Sequence, residues 1–408
     1  MNVKQNPTSL SWFEQRAILT ISVVVIGSVV FLIGGLELIL SRYVPRPSFP
    51  GIPEYQTNRY IRLREYRPHS SMVLVPSETR LKISDGLENI QYPLNIDAHG
   101  FVAPSIIHEH PDATLVFLGG STTECAYVSE KKRFPFLVGQ KLETMTQKTV
   151  NSINAGVRAN TSLNSIDGFV NKVLPLHPQV AVLMHNINDL VMLLYEGTYW
   201  GSQQSDRSPV VELDLSPQRQ PTLHTVAADS LQVFIPHLTQ AVRNIRERFG
   251  KTQKADEFSH INAEHVEIND AYIAYMLTEF KKNLSMFIGI CQARNILPVL
   301  MTQANRFKEN PDRGIVRHFE QLIQKRKLHL DYQGLRTLHE RFNEVIREVG
   351  EMNEVLVIDL ATQIPQEKTF IADAVHLNDA GSELAAEMIS QQLFDVIFQE
   401  KFADKTSS

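Results

Sequence analysis

Near its C-terminus the chain reads FIADAVHLNDAGSELAAEMI, with Asp373 and His376 three residues apart. On a helical turn that spacing brings a carboxylate within reach of an imidazole. Such an acid fixes the ring's tautomer and stabilises it once protonated. The chain holds 14 histidines, so the pairing carries more meaning than the residue type. Asp359 is a second candidate acid, at an arbitrary chain spacing from His376. A hydroxyl for such a base is Ser121 in GGSTTE, behind Gly119 and Gly120. Paired glycines let the backbone turn sharply and present the Ser with free N–H groups; Gly-Gly-Ser is also an ordinary turn. In NAGVRANTS, Gly156 is a bend whose N–H can face a pocket, or a simple turn glycine. MHNINDL supplies Asn186, Asn188 and Asp189. An Asn carboxamide donates to a developing oxyanion or caps the next helix.

Something must hold these residues together. Five short apolar, β-branched runs stand out: 114–118, 150–155, 180–184, 297–302 and 355–360. Between them lie helical patterns at 134–146, 162–174, 228–248, 268–294, 333–349 and 379–397. In 268–294, Ile268, Tyr272, Tyr275, Met276, Phe280, Leu284 and Phe287 mark one buried face. Strands alternating with helices imply a parallel sheet covered on both faces. In such a fold chemistry gathers at the carboxyl ends of the strands, which is where GGS, Gly156 and Asn188 stand.

Ser in a Gly-rich turn after the first strand, Gly after the second, Asn-Asp after the third and D-x-x-H before the last helix resemble the SGNH (GDSL-type) hydrolase superfamily, membrane-anchored bacterial branch. The resemblance spans about 113–398. It implies an α/β fold, a three-layer α/β/α sandwich around a five-stranded parallel sheet. It further implies Ser121 as nucleophile, His376 as general base and Asp373 as its orienting acid. The oxyanion hole would be the Ser121 N–H, the Gly156 N–H and the Asn188 side chain. Two positions depart from the usual pattern: Gly120 replaces the Asp before the Ser, and Asn186 replaces the Gly two before the Asn. The expected chemistry is that of a serine esterase working through an acyl-enzyme, with transacylation to a glycan by the same triad as the alternative. A non-catalytic glycan-binding or assembly protein on the same fold is the rival from another class.

The composition, with a formal charge of −5, 43% hydrophobic and 21% charged residues, excludes a largely disordered chain and gives no general basic field for nucleic acid. Two cysteines, Cys125 and Cys291, are too few for a disulfide framework or a cysteine-built zinc site. No H-E-x-x-H, P-loop or strand-linked G-x-G-x-x-G appears, so no metal or other cofactor is expected. Sequons at Asn160 and Asn283 matter only in a glycosylating secretory pathway.

From Ala17 to Leu36 there is no charge, and Arg16 and Arg42 bracket the run. A helix of that length rises about 30 Å, the thickness of a bilayer's hydrocarbon core. The run is too long for a signal-peptide core and no A-x-A-like site follows. The expected organisation is a tail 1–16, a transmembrane anchor 17–41, a stalk and β-rich lead-in 42–112, a body 113–398 and a tail 399–408. Within the lead-in SMVLV, RLKIS and QYPLNI read as short strands. Basic residues lie on both sides of the span, so the positive-inside rule barely decides its direction. A single-pass protein with its catalytic body periplasmic or extracytoplasmic is the expected layout. The membrane is then one partner, and the resemblance to the membrane-anchored bacterial branch implies an acylated glycan or lipid substrate and envelope polysaccharide machinery. Residues 191–267 interrupt the alternation and read as a lid or specificity insert. Its helix 228–248, with Arg243, Arg246 and Arg248 on the polar face, would suit a lipid esterase at an anionic surface, or is simply a solvated face.

Overall fold

The computed structural model describes residues 16–43, 63–200, 237–238, 268–316, 319–320 and 330–396. Residues 1–15, 44–62 and 397–408 lie outside the described residues, as do 201–267 of the expected insert with its helix 228–248, apart from His237 and Leu238.

Five strands, β3 (Ala113–Gly119), β4 (Val150–Gly156), β5 (Val180–Met184), β6 (Leu297–Met301) and β7 (Leu356–Ile358), form one sheet in the order β4-β3-β5-β6-β7. Every pairing is parallel. β3 and β5 are buried at every residue, which explains why they read as unbroken apolar runs and not as alternation. Two small β-strands, β1 (Ser71–Leu74) and β2 (Tyr92–Asn95), pair antiparallel in the lead-in.

The pleat sends alternate residues to opposite faces. Leu115, Phe117, Val182, Met184, Val299 and Ile358 point into one cluster. It is completed by α4 (Phe134–Thr146), through Val138 and Leu142, and by α10 (Asp379–Phe394), through Ala386 and Ile389. Each such aliphatic or aromatic side chain stabilises the fold by roughly 1.5–3 kcal/mol relative to exposure. The second helical layer holds α5 (Ser162–Gly168), α6 (Ile187–Glu196), α7 (Asp270–Ala293) and α8 (Tyr332–Met352), which pack on one another. Phe280 of α7 meets Phe342 of α8 with ring centroids 4.9 Å apart. The predicted face of α7 is the buried one at Met276, Phe280, Leu284 and Phe287, whereas Tyr275 is exposed.

The lead-in differs from expectation at RLKIS. It is a helix, α2 (Glu78–Ile83), and not a strand. Ser77 caps it by accepting the Arg80 N–H, which satisfies a donor the first turn leaves free. Residues 63–112 share one compact unit with the sheet. Buried Arg133 ties them in, donating to the carbonyls of Pro93, Ala103 and Cys125. Short helices α3 (Ser121–Glu124) and α9 (Leu360–Gln363) follow β3 and β7.

A separate unit contains α1 (Ala17–Leu40), 24 residues with none buried. It is long and apolar enough to cross a membrane. Its carboxylate Glu37 accepts hydrogen bonds from the backbone N–H groups of His237 and Leu238, at 2.7 and 2.8 Å.

Candidate functional site

β3 ends at Gly119, Gly120 caps α3, and Ser121 opens that helix. The first-turn N–H of Ser121 therefore has no intrahelical partner. Its Oγ lies 2.8 Å from Nε2 of His376. Behind the ring, both Asp373 oxygens lie 2.9 Å from Nδ1. A carboxylate only accepts, so Nδ1 carries the proton and Nε2 is left to accept from the Ser121 hydroxyl.

Asp373 and His376 are three apart as read, but no helical turn joins them. The segment bends instead, with Asp373 Oδ1 accepting the N–H groups of Val375 and His376 at 3.0 Å each. Short polar side chains stabilise such turns by bonding their own backbone. Burial opposes the charge on Asp373; the imidazole's charge and hydrogen bond, the Arg80 guanidinium and the Val375 N–H outweigh it and hold the carboxyl well below its usual range. Asp359, the other candidate acid, is occupied elsewhere by Arg347 at 2.9 Å and Thr302 at 2.7 Å.

Asn188 sits in the first turn of α6, one Nδ2 hydrogen spent on the Asn160 carbonyl at 2.9 Å. A Cβ on Gly120 would stand 2.3 Å from that Nδ2, so the carboxamide lies directly against the turn that carries Ser121. Gly156 closes β4, but its N–H donates to Asn154 Oδ1 at 3.0 Å. Its missing side chain has a packing reason: a Cβ there would lie 2.3 Å from the Glu124 backbone nitrogen. Asn186 is buried and anchors its loop to α8, donating to His339 O and Asn343 Oδ1 at 2.9 and 2.8 Å. Asp189 accepts from the Ser162 N–H at 2.9 Å and the Tyr199 hydroxyl at 2.7 Å, bracing α6 on α5.

Sequence reasoning passed over two residues here. Gln303, just beyond β6, donates to Thr122 Oγ1 at 3.0 Å and accepts from the Ile187 N–H at 3.2 Å. It joins the Ser121 turn to the Asn188 loop, and its place at a strand's carboxyl end was the available signal. Glu124 is buried under the same turn, bonded by the Tyr66 hydroxyl and by Arg158 Nη2 at 3.1 Å. Burial raises its carboxyl above the usual value despite Arg158.

Both cysteines are buried, and burial pushes each thiol up to about 12, so neither is a reactive nucleophile. The sequon residues Asn160 and Asn283 are also buried. Among the described residues no three metal-ligating side chains converge.

The sequence profile of the GDSL-like Lipase/Acylhydrolase family matches residues 117–384. Comparison with curated proteins finds no match. Solved structures similar to the chain include a lipase/acylhydrolase from Enterococcus faecalis, at 16% identity and a TM-score of 0.37, covering 69% of this chain and 95% of that one. The acetyl xylan esterase AlAXEase gives 17% and 0.37, covering 69% and 99%. The acetylxylan esterase Axe2 from Geobacillus stearothermophilus gives 13% and 0.37, covering 69% and 94%. Those structures are too distant to bear on substrate. The profile alone spans well over half the chain and includes Ser121, Asn188, Asp373 and His376: the chain belongs to the GDSL-like lipase/acylhydrolase family and is an ester-hydrolysing enzyme.

Proposed function

We propose that the chain is a membrane-anchored serine esterase that removes ester-linked acyl groups from a cell-envelope glycan. The observation that carries the catalytic part is the continuous line Ser121 Oγ, His376, Asp373, with 2.8 and 2.9 Å between successive polar atoms. Ser121 Oγ attacks the acyl carbonyl as its proton passes to His376 Nε2. The intermediate's oxyanion is met by the Ser121 N–H, the second Nδ2 hydrogen of Asn188, and the Gly156 N–H once it lets go of Asn154. His376 gives its proton to the departing sugar oxygen, leaving an acyl-serine. Water then attacks that ester, His376 takes its proton, and the acid leaves as Ser121 regains its hydrogen.

The glycan part is supported by the polar surroundings of the nucleophile turn, which include Asn160, Asn188, Gln303 and the half-exposed Arg158. The anchor role rests on the length and apolarity of α1. The catalytic proposal is tested with a fluorophosphonate probe on the full chain in detergent. Covalent labelling is expected, and Ser121→Ala abolishes it; labelling that persists in the variant refutes the assignment. Rates on acetylated polysaccharide against p-nitrophenyl esters of rising chain length test the substrate. Activity confined to long acyl chains would sink the glycan reading.

A further inference from the structure

Asp373 uses its two oxygens differently. Oδ1 takes three hydrogens from its own turn and from His376. Oδ2 shares the His376 proton and then faces outward, towards the lead-in. There the Ser84 hydroxyl lies at 3.4 Å and Arg80 Nη2 at 3.7 Å. Both residues belong to α2 or its C-terminal cap.

Neither residue is free to wander. Ser84 is buried. The Arg80 guanidinium stacks on the Tyr127 ring, 4.8 Å from its centroid, which steers the cation while leaving its charge for the carboxylate. Beyond Ser84 the chain is fastened to the Asp373 loop. The Gly86 N–H donates to Ala372 O at 3.0 Å, and Asn378 donates back to Gly86 O at 3.2 Å. Arg306, fully buried, bridges the two segments, donating to Asp85 at 2.7 Å and to Ile371 O at 3.0 Å. The cap and loop thus move as one piece, and Arg80 is the charge that piece presents to Asp373.

We propose that α2 is a positioning element of the catalytic site, in which Arg80 and Ser84 fix the outer oxygen of Asp373 and so hold His376 in line with Ser121. This rests on the reading of Ser121, His376 and Asp373 as the reacting groups. A carboxylate held at one oxygen can still swing about its last torsion, and the imidazole swings with it. Arg80 and Ser84 remove that freedom. Misplacement of a reacting group by about 1 Å costs on the order of 100-fold in rate.

Arg80 also sets the charge balance. The groups facing His376 are Asp373 from its own turn, Arg80 behind that acid, and Glu124 with its partner Arg158 under the Ser121 turn. Taking away Arg80 alone leaves the two carboxylates in place, which favours the protonated imidazole. The acidic limb of the pH profile then moves to higher pH.

The test is the rate of fluorophosphonate labelling of the full chain in detergent, measured across pH for wild type, Arg80→Gln, Arg80→Lys and Ser84→Ala. Arg80→Gln is expected to lower the plateau rate about tenfold to a hundredfold and to raise the pH of the acidic limb. Arg80→Lys, which keeps the charge, restores most of the rate and the limb, and Ser84→Ala loses several-fold. Wild-type rate and an unmoved limb in Arg80→Gln overturn the proposal. Should Arg80→Gln fail to fold, a wild-type rate in Ser84→Ala overturns it equally. A wild-type chain that does not label at Ser121 overturns the catalytic reading itself, which is a separate result.

Discussion

Gly120 stands where the family's usual motif has an aspartate, and Asn188 occupies the room that side chain would need. A Cβ at 120 would come within 2.3 Å of Asn188 Nδ2 and 3.2 Å of Asn160 O. Gly120→Ala is therefore expected to push the carboxamide aside and cut kcat while the fold survives. An unchanged kcat, with a melting temperature like wild type, would refute the contact. Asn188→Ala removes the donor outright. Loss of one such donor costs on the order of 100–1,000-fold in kcat, and the buried Asn160 carbonyl left without that donor lowers stability by roughly 1–3 kcal/mol. Near-normal turnover in this variant would withdraw Asn188 from the oxyanion hole. Asp373 raises no pH problem of its own. Its depressed carboxyl contributes stability above the ordinary carboxylate value near 3.9, lost only as pH falls below that towards its lower folded value.

At the scale of elements, α8 carries a pH liability in its interior. His339 is fully buried, Nε2 lies 3.2 Å from Gln303 Oε1, and burial pushes the imidazole down to about 3. The unfolded chain takes a proton near pH 6.5 that the folded chain refuses until about pH 3. Stability from this group is thus complete above 6.5 and falls as pH drops through that window, by at most about 1.4 kcal/mol per pH unit. His339→Gln should flatten that part of the urea-denaturation profile between pH 6.5 and 4; an unaltered slope would contradict it. The elements themselves were largely legible. The five sheet strands announce themselves as apolar runs, and α4 matches its pattern at both ends because Pro135 and a polar C-terminus bound it. RLKIS misled because its alternation, Leu81 and Ile83 against Lys82, imitates a strand, whereas Ser77 three residues before Arg80 was the better clue. At the site, Ser121, Asn188, Asp373 and His376 could be found because strand ends and a short local spacing mark them. Arg80 and Arg306 could not: each acts on a residue remote in the chain, and nothing local in the sequence encodes that meeting.

For the whole molecule, the described catalytic unit begins in the lead-in, since residues 63–112 supply Tyr66 to Glu124 and Ser84 to Asp373. Attachment is a separate property, which the proposed function assigns to α1 on its length and apolarity. The full chain is expected to stay with the membrane fraction after alkaline carbonate washing, and a chain starting at residue 42 to be released. Release of the full chain would argue against an anchor. The sheet order has one more consequence. β5 is its central strand, yet its partner β6 begins only at Leu297, after the long insertion that follows Met184. In equilibrium terms that length is cheap, because each doubling of a loop adds only about 0.6 kcal/mol of closure entropy. During synthesis it is not. At about 5–20 residues per second, the ribosome takes roughly 6–23 s to pass from Met184 to Leu297. Once VAVLM has left the ribosome it can lie beside β3 with its other edge bare until β6 arrives, an apolar strand open to any neighbouring nascent chain. The chain's time of greatest vulnerability is thus set by where its insertion falls in the order of translation.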